Sequence, residues 1–251
     1  MGLYNRDYNL DVRRGLVPGV SLVTVIGHSN DVRTTSETLM PGLVTIAPDA
    51  LFLTPATVTV SSTNANDTSA GTGLRTLLLS GLDASGNPQS ETITMNGTTG
   101  VVSANTYSWI QSMVALTAGT SLVNFGTLYA GTGTVTAGIP AVRLCSMESG
   151  ANNSTTAAYM VPTGKIFHAE QLTISLGDST KTMTVDIYVR NVTTGLYLKA
   201  VEYNIPAGFQ LQPIIAFTGL VAGTIVDVRV NTDAGTGASS TVALAGYLVN
   251  V

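Results

Sequence analysis

Residues 75–99 read RTLLLSGLDASGNPQSETITMNGTT. Leu77-Leu78-Leu79 is a continuous apolar run, the mark of a strand covered on both faces. Glu91-Thr92-Ile93-Thr94-Met95 alternates polar and apolar, the period-two pattern of a half-buried strand. Between them lies DASGNP (83–88). Asp and Asn side chains imitate backbone turns, Gly accepts positive φ, and Pro fixes φ and ends the turn. The stretch therefore predicts a hairpin. A calcium loop counted from Asp83 would need Gly at its sixth position and a carboxylate at its twelfth. Pro88 and Thr94 stand there instead.

The same signals recur along the chain. Thr57-Val58-Thr59-Val60 alternates. Further strands are predicted at residues 107–116, 122–129, 135–144 (broken by Pro140), 157–161, 166–176, 183–190, 196–203, 210–217, 225–230 and 241–249. Val185, Ile187 and Val189 point one way and Asp186, Tyr188 and Arg190 the other. By the same rule Val226, Val228 and Val230 face a core, and Asp227 and Arg229 face out. No stretch carries the apolar stripe of a long helix. Short strands separated by regular turns, in a chain with 26 glycines, specify an all-β sandwich or barrel. The expected fold is all-β: two tandem β-sandwich or jelly-roll units preceded by an extended N-terminal arm. The arm covers 1–42, with one short strand at 21–26. The first sandwich covers 43–147, a polar linker (ESGANNSTT) 148–156, and the C-terminal jelly roll 157–251.

Composition narrows the function. Charged residues make up 10 % of the 251, against roughly 25 % in a typical soluble domain. Surface polarity must then come from Thr, Ser, Asn and Gln. A neutral surface loses little charge hydration on association, which favours an assembly component. The net charge of −4, with 11 Lys plus Arg, argues against a nucleic-acid partner. Arg13-Arg14 is the one tight basic pair. A single cysteine, Cys145, excludes an intrachain disulfide and reads as a small buried hydrophobe. With His28 and His168 it cannot build a His/Cys zinc site, so no metal and no cofactor is expected. No secretory signal, myristoylation motif or membrane span is expected.

Catalytic constellations are weak. His168 lies beside Glu170 on a predicted strand and His28 near Asp31, but no nucleophile elbow GxSxG exists. Glycoside hydrolysis needs two facing carboxylates, and nothing singles out a pair among Asp178, Asp186, Glu202, Asp227 and Asp233. A sugar platform would use aromatics: Tyr188, Tyr197 and Tyr203 are available, and Trp109 is the only Trp. The three Ala-Gly-Thr-Gly motifs (70–73, 130–133, 234–237) read as turns, since no helix or Walker Lys follows.

GLDASGNPQSETITMNGTT (81–99), preceded by SSTNANDTSAGTG (61–73), resembles a segment recurring in virion structural proteins of tailed bacteriophages. IGHSNDVRTTSETLMPG (26–42) resembles the piece that often precedes it, with Leu39 where an aromatic is common. VPTGK (161–165), VDVRV (226–230) and VALAGYLVNV (242–251) are similar to phage jelly-roll modules, although Ile225-Val226-Asp227-Val228 lacks a Thr common there. The resemblance implies a non-enzymatic structural protein of a virion assembled in the host bacterial cytoplasm. It implies a capsid decoration or cement protein contacting the major capsid protein or other virion subunits, itself a homo-oligomer such as a trimer. A neck, tail or baseplate component with a host-contacting jelly roll is the alternative, and a carbohydrate-binding module a third. In the decoration reading Arg6, Arg13, Arg14 and Arg33 are the expected partner contacts, because arginine forks suit paired contacts with carboxylates. No nucleic acid or membrane partner is implied.

Overall fold

The computed structural model describes residues 8–42, 54–191, 194–212 and 214–251. Within them the chain is all-β apart from one short helix, α1 (Tyr8–Arg13), and its strands form two sandwiches. Helix α1 ends in a Schellman cap: Leu16 N–H donates to Asp11 O at 2.9 Å and Gly15 N–H to Val12 O at 2.9 Å. Tyr8 meets Tyr247 edge-to-face at 5.7 Å.

One sandwich is built from both ends of the chain. Its first sheet runs β1 (Val20–Val32), β17 (Ala238–Asn250), β11 (Lys165–Leu176), with β14 (Gln210–Leu211) and β15 (Ile214–Val221) on the far side of β11. Its second runs β10 (Ala158–Met160), β16 (Ile225–Thr232), β12 (Met183–Arg190), β13 (Tyr197–Ile205). There β2 (Glu37–Thr38) also pairs with β16. Between the two sheets Phe167, Leu172, Ile174, Val185, Ile187, Val226, Val228, Val230, Val242 and Leu244 form the core. The alternation read from the sequence places Val185, Ile187, Val226, Val228 and Val230 in this core, while Val189, expected on the same side, is half-buried and outside it.

The other sandwich lies within residues 59–147. One sheet runs β6 (Val101–Val102), β3 (Thr59–Ser62), β8 (Leu128–Thr136), β9 (Ile139–Met147). The other runs β5 (Pro88–Thr94), β4 (Leu74–Leu82), β7 (Trp109–Ala118). Its core includes Val58, Val60, Leu77, Leu79, Tyr107, Met113, Leu128 and Leu144. Cys145 is buried there, and burial pushes its thiol pKa up to about 11. A third cluster joins the sandwiches: Met40, Leu82 and Trp109 against Ala158, Met160 and Ile225.

Four readings change. Residues 20–32 are one long strand inside the C-terminal sandwich, paired with β17 from Val20↔Val249 to Val32↔Ala238, so residues 20–42 are built into that unit rather than standing as an arm. Residues 148–156 are fastened throughout. Ser154 N–H donates to Met113 O (2.8 Å), Thr155 N–H to Ser146 O (2.9 Å), and Asn152 Nδ2 to Leu122 O (3.0 Å). Leu78 is only half-buried, because β4 is central in its sheet but covered fully on one face. Ala130–Gly133 belong to strand β8, not a turn. A Cβ on Gly131 would lie 2.0 Å from Val142 O, so the close approach of β9 needs glycine there.

Candidate functional site

The predicted hairpin is β4–β5, with Asp83 to Asn87 as its turn. Asp83 Oδ1 accepts from the N–H groups of Ser85 (2.8 Å) and Asn87 (2.9 Å), and Gly86 adopts φ +76°. These backbone donors hold the Asp83 carboxyl below its ordinary value. The loop also does something its sequence does not announce. Thr163, in the VPTGK turn of the other sandwich, donates its N–H to Gly86 O (2.8 Å) and its hydroxyl to Ser85 O (2.6 Å). The tip is a clasp between sandwiches, held through the Ser85 and Gly86 carbonyls.

A second clasp sits at the far end of β1. His28 Nδ1 is 2.8 Å from Thr241 Oγ1, and its Nε2 is 3.3 Å from Glu148 Oε2. Asn30 Nδ2 donates to Glu148 Oε1. These contacts tie β1 and β17 to the segment that leaves β9. His168 instead accepts the Gly219 N–H at 3.3 Å, a link between β11 and β15. Neither histidine faces a serine or cysteine nucleophile in these bonds.

The densest polar constellation is the outer face of the second sheet. Register places Asp227 beside Tyr188 and Arg229 beside Asp186, with Lys199 and Glu202 on the next strand. The expectation that Asp227 and Arg229 face solvent fails: they are 0 % and 8 % exposed. They do turn away from the valine core, but that face is itself covered. Arg229 Nε donates to Asp227 Oδ2 at 2.7 Å, and Thr38 Oγ1 donates to Asp227 Oδ1 at 2.8 Å. Arg229 Nη2 has no acceptor among the described residues; its guanidinium lies over the rings of Tyr188 (5.0 Å) and Tyr197 (6.0 Å). Burial raises the Asp227 pKa, against the lowering effects of Arg229 and Thr38.

Lys199 bridges the remaining acids, 2.8 Å from Glu202 and 3.0 Å from Asp186. Those contacts, Glu202 first, raise its pKa. Each of these three carboxylates thus has a cation at hydrogen-bond distance. The arrangement can lock strands together. It offers no open pair of carboxyls across a substrate-sized gap. Tyr203 packs at the edge of the hydrophobic core.

Among the arginines expected to contact partners, Arg6 lies outside the described residues. Arg13 and Arg14 are exposed at the carboxyl end of α1, where cations suit the helix dipole. Arg33 is half-exposed and paired on its own chain: Nη2 and Nε lie 2.7 and 3.0 Å from Asp31 Oδ2, and this bond raises its pKa. Among the described residues no group of three His, Cys, Asp or Glu could hold a metal, and no helix is long and apolar enough to cross a membrane.

No family model and no curated protein matches the chain. Among solved structures it is similar, at 12 % identity and TM-score 0.21, to the Gx strain of infectious bursal disease virus, covering 92 % of this chain and 75 % of that one. A VP2 subviral particle of the same virus gives 10 % identity and TM-score 0.21, covering 92 % and 77 %. Both measures are too low to transfer a fold or a role.

Proposed function

We propose that this chain is a non-enzymatic structural protein of a tailed-phage virion, acting as a cement or decoration subunit on the head lattice. The observation that carries the reading is the hairpin segment 75–99. It bears the resemblance to phage virion proteins, and it is a clasped structural element whose Asp83 carboxylate and Ser85 and Gly86 carbonyls are bonded within the chain. The double sandwich supports the same reading. Acids on the most polar face are paired with cations, and the faces of Tyr188 and Tyr197, the rings a glycan would need, look onto Arg229.

Binding to a lattice then rests on many small contacts repeated by symmetry. Exposed apolar side chains are available on both units: Leu196 (62 %), Leu198 (55 %) and Phe209 (62 %) on one, Leu116 (49 %) and Leu122 (76 %) on the other. Arg13 and Arg14 add charge at the α1 end. Copy number in purified particles tests the proposal, by quantitative protein staining against the major capsid band. A ratio near unity, or a simple fraction of it, is expected. A handful of copies would move the protein to the neck or tail. Absence from particles would overturn the structural role.

A further inference from the structure

Strand β1 is an edge strand, and most of it is unguarded. It pairs with β17 without a register break from Val20 to Ser29. His28 N–H points away from β17, donating to Thr155 O at 3.1 Å. Main-chain groups alternate sides along a strand, so Leu22, Thr24 and Ile26 also turn their N–H and C=O groups to the open side. None of these groups has a hydrogen-bond partner among the described residues. The stretch VSLVTVI (20–26) holds no charge, no proline and no bulge, the devices that normally protect an edge. Leu22 and Ile26 are 38 % exposed.

The open side is not bare solvent. It forms one wall of a crevice of about 290 Å³, lined by Leu22 to Ile26 and, opposite, by Gln111, Ser112, Ser154, Thr156 and Tyr159. A second crevice, about 330 Å³, continues from Gln111 and Tyr159 over Ser80 and Ser90 on the outer face of the β4–β5 pair. Gln111 is the extra residue of a bulge in β7, since Ser80 pairs with Ser112 and Gly81 with Ile110. Bulges re-aim side chains. Both polar atoms of its amide are buried and have no partner among the described residues.

The geometry points to a strand-docking groove: an extended, uncharged polypeptide segment of another protein adds to β1 along Leu22–Ile26. Only an extended backbone presents donors and acceptors at a two-residue period that matches these open groups. The amide of Gln111 supplies a further donor and acceptor for that backbone from the opposite wall. None of the residues named on either wall is charged, so a neutral strand suits it and a charged one would lose hydration without compensation. The far wall is built jointly from β7 (Gln111, Ser112), the segment that leaves β9 (Ser154, Thr156) and β10 (Tyr159), and it stands where a second whole sandwich would have to approach. The inference does not depend on the virion reading.

The test selects short random peptides on the full-length immobilised protein, then measures binding of the enriched peptides and amide hydrogen exchange. Enriched peptides should be uncharged and rich in β-branched residues. Binding should slow exchange at Leu22, Thr24 and Ile26. Thr24→Pro removes one outward N–H and places the ring on the open side, leaving the bonds to β17 intact, and should weaken binding roughly ten-fold or more. Gln111→Leu should also weaken it and is a second variant should T24P not fold. Failure to enrich any peptide, binding without protection at those three amides, or unchanged affinity in both variants would overturn the proposal. Protection that appears without peptide and grows with protein concentration would assign the edge to a second copy and overturn it equally.

Discussion

Arg229→Met is the most informative substitution in the second sheet. Asp227 is fully buried, and its two side-chain partners are Arg229 at 2.7 Å and Thr38 at 2.8 Å. Methionine keeps much of the side-chain volume against Tyr188 and Tyr197 but leaves a carboxylate inside the protein with one hydroxyl. Breaking a buried pair in this way costs about 3–5 kcal/mol. Urea unfolding at neutral pH, followed through Trp109, should show that loss as a lower midpoint. The pH dependence gives an independent sign. Burial already raises the Asp227 pKa above its reference of 3.8. Between the unfolded and folded values the native state binds the extra proton, so stability falls as pH rises through that window. Removing Arg229 raises the folded value further and widens the window upward. The R229M deficit should therefore be largest near neutrality and shrink as the pH falls through the folded pKa. Adding Asp227→Asn removes the stranded charge, so the double variant should be more stable than R229M alone at neutral pH. A single-variant loss under about 1 kcal/mol would refute the reasoning. So would a deficit that stays the same size at every pH from neutrality down through the acid limb of the stability profile.

Three further outcomes are expected. Gly86→Ala places a Cβ 2.6 Å from Thr163 Oγ1 at φ +76°, and should cost about 1–3 kcal/mol by urea unfolding. Thr163→Val removes one hydroxyl bond across the clasp, at about 1 kcal/mol, and its effect should be less than additive with Gly86→Ala. Cys145, buried with its pKa pushed up to about 11, should resist thiol reagents at mildly alkaline pH in the native protein and label only with unfolding.

Much of the fold was legible because strands write their period into the chain. Residues 183–190 coincide with β12, and the hairpin at 83–87 follows from the chemistry of Asp, Gly and Pro. Alternation, however, tells which face a side chain takes, not what lies on that face. Asp227 and Arg229 were placed on the correct side of β16 and still misread as exposed, because other elements cover that side. The strand 20–32 was underestimated for a related reason: its partner β17 is more than 200 residues away, and no local signal announces it. Gly131 looked like a turn former but serves a close strand contact. The candidate face itself is half-visible in the sequence: strand alternation marks Tyr188, Asp186 and Asp227, but nothing local marks Lys199 or Thr38. Only the register of three strands and the reach of β2 bring those two into it.

The pairing of β1 with β17 also sets an order of folding. His28 meets Thr241 across 213 residues of chain, and closing a loop of that length as free coil costs about 5 kcal/mol of entropy. The sandwich within residues 59–147 closes much shorter loops and has its own core, so it is able to form first. Once formed, it turns residues 59–147 of the intervening chain into a rigid connector whose entry and exit strands, β3 and β9, both flank β8. That shortens the effective distance β1 must search. During synthesis the other sandwich has no complete first sheet until β17 has been made. Until then β1 waits with both edges unpaired, and its exposure to other nascent chains lasts as long as that delay.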